Sequence, residues 1–189
     1  MDYVPYSHLE RGTLLIASPD VESGFYSRSV LLLCDHSPAG SFGLTINKLI
    51  DVELPEELLK SDETLHTPIT MCMGGPMQPN QLMLLHGYAD APDQTLKISE
   101  GIYLGGDLNF LQELLDKEPQ VRLRLCFGYS GWGNGQLEKE FMAGDWFLHP
   151  ASPELVFDTP PEQMWQAALR AMGGKYASLS MLPEDLSVN

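Results

Sequence analysis

The chain has 189 residues, 43% of them hydrophobic, and its 11 Lys and Arg stand against 26 Asp and Glu for a formal net charge of −15. That length makes one well-buried core and is short for two, so a single domain over residues 1–189 is expected. The acidity repels phosphate backbones, no basic patch offsets it, and no apolar run approaches a membrane-spanning length, so nucleic-acid binding and membrane insertion are the classes the composition argues against.

Gly12 opens the run TLLIAS, read as a buried strand that Ser18 and Pro19 end. SVLLLC, from Ser29 to Cys34, reads the same way. Asp35 to Ser41 is dense in turn formers, and GLTINK, from Gly43 to Lys48, is a third strand able to pair with the second as a hairpin. Leu54, Leu58 and Leu59, with acids between them, make Leu54 to Lys60 a short amphipathic helix. It lies in the acid-dense segment Asp51 to Glu63, a solvated face first and a docking site for a basic partner second.

Ile69 to Met73 is a strand that stops at Gly74, Gly75 and Pro76. Gln81 to Tyr88, Thr95 to Ile98 and Ile102 to Leu104 continue the strand pattern. Asp107 N-caps a helix whose Leu108, Leu111, Leu114 and Leu115 form one stripe before Pro119. In the next strand, Val121 to Phe127, Arg122 and Arg124 alternate with apolar residues and are expected on a solvated face. A glycine-rich turn follows, GYSGWGNG, then a helix from about Gln136 with Leu137 and Phe141 inward and Gly144 at its end. Asp145 to His149 is a strand. Thr159-Pro160-Pro161-Glu162 reads as a capping box for a helix from Pro160 to Met172, and the residues after Gly173 and Gly174 read as a polar tail. Strands outnumber helices, which arrive late and singly. That order indicates an α+β protein with a mostly antiparallel, curved or barrel-like sheet surrounded by helices.

No catalytic template fits. Gly128-Tyr129-Ser130-Gly131-Trp132 begins like a nucleophile elbow, but Trp132 stands where the second glycine must let strand and helix approach. Gly131, Gly133 and Gly135 lack the spacing of a dinucleotide fingerprint, and no Gly-Lys-Ser/Thr occurs. The glycines then either let Trp132 fold under the helix as a core plug or bring backbone amides to a small ligand. Cys34 and His36 alternate on a strand and could share a face, yet no second pair completes a metal site, and a histidine bonding across the turn is the plainer reading. Glu138 and Glu140, two apart on a helix, do not face each other as an acid/base pair. Cys34, Cys72 and Cys126 sit in apolar contexts without a C-x-x-C, as small core residues of a reducing compartment. No metal or cofactor is expected, and with no signal-like N-terminus the expected location is the cytoplasm.

The chain resembles the bacterial YqgE/AlgH family over nearly its whole length. The resemblance is carried by Gly12 to Pro19, Phe25 with Ser29-Val30, His36 with Gly40 to Asn47, Gly74-Gly75-Pro76, and Gly128 to Trp132 with Gly135-Gln136-Leu137-Glu138 and Glu140, ahead of Trp146 and Phe157. It implies a barrel-like α+β fold, no settled enzymatic activity, and a link through one family name to transcriptional regulation. Family members usually carry Ala at the position of Ser130, which weakens a serine nucleophile further. Two functions follow as expectations. One is a non-enzymatic regulator or adaptor working through a protein partner. The other is a small-molecule sensor or enzyme with a pocket of His36, Asn47, Tyr129, Trp132, Gln136 and Glu138. Gly74, Gly75, Pro76 and Gly131 complete the candidate ligand-binding or structural site.

Overall fold

The computed structural model describes residues 8–21, 24–52, 69–92 and 94–184. The predicted helix at Leu54 to Lys60 and most of the acidic segment lie outside the described residues. Among the described residues nine strands form one sheet: β1 (Thr13–Ala17), β2 (Val30–Ser37), β3 (Gly40–Thr45), β4 (Thr70–Met73), β5 (Met77–His86), β6 (Leu96–Ser99), β7 (Ile102–Leu104), β8 (Leu123–Gly133) and β9 (Trp146–Pro150). Their order is β6-β7-β5-β8-β3-β2-β1-β9, with β4 parallel beside β8 and every other pairing antiparallel.

The unbroken apolar runs of β1 and β2 reflect burial on both faces. Leu14, Ile16 and Leu32 enter the main core, whereas Leu15, Ala17, Leu31 and Leu33 enter a second cluster on the other side. β2 and β3 make the expected hairpin, with Ser37 opposite Gly40. A register shift between Leu33 and Asp35 breaks the alternation assumed for Cys34 and His36. Cys34 is fully buried in the main core, while His36 turns to Ser41 across the hairpin, Nδ1 to Oγ 2.6 Å.

β8 is the spine of the sheet. Leu123 to Phe127 pairs with β5 on one edge and β4 on the other, and Ser130 to Gly133 pairs with β3. The glycine-rich block is therefore no turn after a strand ending at Phe127. It is the second half of that strand, bent at Gly128, where φ is +72°. Glycine lowers strand propensity when read alone, but here the ladder to β3 holds it extended. The glycines matter for approach. A Cβ on Gly74 would sit 2.2 Å from the Gly128 carbonyl oxygen, and one on Gly75 would sit 2.1 Å from the Tyr129 carbonyl carbon.

The sheet curls until its ends approach. A Cβ on Gly12, just before β1, would lie 3.0 Å from the Ile98 carbonyl oxygen of β6, and one on Gly101 at the β6–β7 tip would lie 2.9 Å from Pro153. The result is a curled half-barrel of the expected α+β class, with helices laid on its faces.

Helix α1 (Leu108–Lys117) is capped by Asp107, which accepts from the Phe110 N–H at 2.8 Å. It buries Leu111 and Leu115 against Leu84 and Leu125, while Leu108, predicted in the same stripe, is exposed. Helix α2 (Gln136–Ala143) packs through Leu137 and Phe141. Helix α3 (Pro161–Met172) buries Met164, Trp165, Ala168, Leu169 and Met172 in the main core. No capping box forms there. Pro160 is the cap, and Thr159 Oγ1 turns back to donate to the Glu154 carbonyl at 3.0 Å, closing the single π-turn Glu154–Asp158. The stretch expected to be a tail holds helix α4 (Gly174–Leu179), whose Tyr176 packs on Phe147 at 4.9 Å between ring centres.

Arg122 and Arg124 do not share a solvated face. Arg122 precedes β8 at the surface and pairs with Asp158 at 2.6 Å. Arg124 is 1% exposed, on the same sheet face as the core residue Cys126, and its Nη1 donates to the Ile46 carbonyl at 2.7 Å near Cys72 Sγ, while its buried Nε has no hydrogen-bond partner. Strand alternation gave no sign of a buried guanidinium anchored by a carbonyl from another segment.

His86, at the end of β5, is fully buried, stacked on Tyr103 and edge-on to Phe110. Its Nδ1 accepts from the Tyr88 N–H at 3.2 Å, and burial lowers its pKa from 6.5 to about 4, against the raising effect of backbone bonds. The unfolded chain binds the proton more readily, so this histidine costs stability as pH falls below 6.5, and the loss levels off near 4. Two outcomes are expected. Urea denaturation between pH 7 and 4.5 should show the wild type losing about 2–3 kcal/mol more than His86→Phe. Gly75→Ala, placing a Cβ inside the Tyr129 backbone, should lower unfolding free energy by about 3 kcal/mol or more.

Candidate functional site

At the far end of β8 the side chains alternate between two faces. Trp132 and Ser130 point into the cluster under α2, while Tyr129 packs toward the main core. Trp132 is 7% exposed, and its indole N–H donates to Glu140 Oε2 at 2.9 Å. Trp146, at the start of β9, donates to the same oxygen at 2.9 Å. The other oxygen, Oε1, accepts from Gln136 Nε2 at 3.1 Å, one helical turn earlier, and Gln136 Oε1 accepts from the Gly133 N–H at 3.2 Å. One carboxylate thus ties two strands and the start of a helix together. Beside it His36 stands between Ser41 Oγ, at 2.6 Å, and Glu138 Oε1, at 3.5 Å.

The structure brings His36, Trp132, Gln136 and Glu138 to this end of the sheet and leaves the other predicted residues elsewhere. Asn47 is spent on backbone: its Oδ1 accepts from the Val30 N–H at 2.8 Å and its Nδ2 donates to the Arg28 carbonyl at 2.9 Å. Tyr129 meets Phe42 edge-on at 6.2 Å and lines an open groove with Gln78, Gln81 and Met83. Gly74 and Gly75 serve the crossing of β8, Pro76 is exposed at the entry to β5, and Gly131 leaves room for the Met77 sulfur, 2.7 Å from where its Cβ would be. Sequence reasoning placed Glu140 among the residues of resemblance but not in the site. Its spacing of four from Gln136 was the available signal. Ser41 lies in the turn across which His36 is expected to bond and in the block of resemblance, but it is not among the predicted site residues.

The chemistry of this region is restrained. Ser130 sits on a strand, 1% exposed, with its hydroxyl 2.9 Å from the Tyr26 hydroxyl, so no strained elbow presents it. The thiols of Cys34, Cys72 and Cys126 are buried, and burial pushes all three pKa values up, so they are poor nucleophiles. Among the described residues no group of three or more His, Cys, Asp or Glu is placed to hold a metal ion, and no helix is long and apolar enough to cross a membrane.

A curled antiparallel half-barrel clasped by short helices, with an indole–carboxylate cluster at one end, defines the class of protein. A family model described as AlgH-like matches residues 14–177, and the chain belongs to that family. The UPF0301 protein of Chlamydia abortus is 52% identical over 189 residues, all of both chains. A UPF0301 protein of Chlorobium luteolum is 38% identical, with 97% of each chain covered. The solution structure of AlgH from Pseudomonas aeruginosa, 28% identical, matches with a TM-score of 0.69 over 92% of this chain and 94% of that one. The crystal structure of a Corynebacterium diphtheriae protein matches with a TM-score of 0.77 over 95% of both chains, a likeness of fold at 23% identity.

Glu140→Ala would leave two indole N–H groups without their acceptor. Denaturant titration should show a loss of about 2–4 kcal/mol, and tryptophan emission of the folded protein should shift as the indoles lose their charged neighbour.

Proposed function

We propose that the chain is a non-enzymatic regulator or adaptor of the bacterial cytosol that works by binding another protein. The observation that carries this reading is the consumption of reactive groups by the fold. Glu140 holds Trp132, Trp146 and Gln136, Ser130 is buried on Tyr26, and the thiols are buried. What stays accessible is contact surface. Phe42, Met83 and Tyr129 line a groove beside Gln78 and Gln81, and Met77 is 44% exposed nearby. Aromatic and methionine side chains of this kind are enriched at protein interfaces. The net charge of −15 favours a protein partner over a nucleic acid.

The alternative, a small-molecule sensor or enzyme at the GYSGWGNGQLE block, draws support from His36 between Ser41 and Glu138. The two readings separate on one experiment. A partner captured with the full-length chain is purified and titrated against wild type and Tyr129→Ser. Saturable binding, weakened about tenfold or more by the substitution with the melting temperature held, is expected. Turnover of a metabolite by the pure protein, lost in Ser41→Ala, with no stable partner recovered, would overturn it.

A further inference from the structure

The start of β2 holds an arrangement that the preceding reading does not use. Between the start of β2, the segment after β3 and the first turns of α3 lies a cleft of about 130 Å³, bordered by the cations Arg28 and Lys48, the carboxylates Glu162 and Glu184, and by Asn47 and Trp165. Its size suits a compact head group.

Arg28 is one of two non-glycine residues with positive φ among the described residues, at 52°. Such an outlier persists where its surroundings hold it, and here they do. Asn47 Nδ2 bonds the Arg28 carbonyl at 2.9 Å, and the guanidinium lies 4.5 Å over the Trp165 ring. Trp165 is itself fixed, 3% exposed with its N–H on the Ala17 carbonyl at 2.8 Å. The strained turn therefore aims a cation at a rigid wall.

Lys48 supplies a second cation. Its Nζ donates to the Ser27 carbonyl at 2.5 Å, and burial lowers its pKa, with Glu184 opposing that shift. Arg11, Lys97, Lys117 and Arg122 pair with carboxylates. Arg28 and Lys48 donate to main-chain carbonyls, as the interior Arg124 does. Those of Arg28 belong to the chain's own C-terminal segment, Leu182 at 2.9 Å and Pro183. Glu184 follows at the rim of the cleft.

We propose that this cleft is a binding site for a small oxyanion, the phosphate or carboxylate head of a ligand, and that residues 182–184 occupy the anion's place when it is absent. Two cations held by aromatic stacking and backbone bonds recognise a compact anion. The carbonyls of Leu182 and Pro183 and the carboxylate of Glu184 are the internal stand-ins that such an anion displaces. Because the molecule as a whole is strongly acidic, recognition depends on these direct contacts and not on long-range attraction.

The test is a nuclear magnetic resonance titration of the full chain with inorganic phosphate and, separately, with succinate, following the Trp165 indole N–H and the amides of Leu182 and Glu184. Saturable shifts with either anion are expected, the tighter one naming the head group. Lys48→Gln should weaken binding about tenfold or more, and Glu184→Gln, which removes the competing carboxylate, should strengthen it. Absence of saturable shifts with both anions, or shifts left unchanged by Lys48→Gln, would overturn the assignment. Neither substitution lies in the groove of Phe42 and Tyr129, so the outcome is independent of the protein-partner reading.

Discussion

Backbone meets backbone where Gly74 and Gly75 cross Gly128 and Tyr129, and the rest of the sheet depends on that contact. With a Cβ at either of the first two positions, β4 could not lie parallel against β8 while β5 lies antiparallel on its opposite edge. The same long strand then runs on to pair with β3. It thus joins the β6-β7-β5 part of the sheet to the β3-β2-β1-β9 part. A strand paired on both edges from Arg124 to Phe127 tolerates little displacement there. The absence of side chains at the crossing is what lets three neighbours converge on it.

Polar groups in this protein mostly hold the fold. Glu140 gathers two indoles, Arg124 reaches a carbonyl in the interior, Asn47 stitches the start of β2, and Trp165 anchors α3 to β1. Each is a buried or partly buried group held by a specific partner, which fixes register more than it adds net stability. That economy separates the cluster at Trp132, where polar side chains face one another, from the cleft at Arg28 and Lys48, where the cations face main-chain carbonyls of Leu182, Pro183 and Ser27.

Much of the architecture was legible because its signals are local. The runs TLLIA and VLLLC announce buried strands, Asp107 announces a helix start, and the hairpin at Pro38 and Ala39 follows from its turn formers. What stayed hidden depends on partners distant in sequence. Ser130 to Gly133 is a strand because β3 lies beside it, although four glycines within eight residues read as a turn. Arg124 is interior because it shares the core face with Cys126 and the Ile46 carbonyl receives it. Tyr176 anchors a helix in what reads as a polar tail because Phe147 is waiting for it. For the candidate site, His36, Trp132, Gln136 and Glu138 were found by pattern. Asn47 was placed with them, yet it lies by the cleft whose other walls, Arg28 and Trp165, no motif connects.

The position of β1 carries a consequence for synthesis of the chain. Thr13 to Ala17 is hydrogen-bonded on one side to β2, available almost at once, and on the other to β9, whose first residue is Trp146. A ribosome delivering residues from the N-terminus leaves the outer rim of this apolar strand bare until some 130 further residues have emerged. Such an edge invites pairing with another nascent chain. Crowded translation of this message is therefore where a chaperone has most to shield, and ladder closure by β9 is the step that retires the hazard.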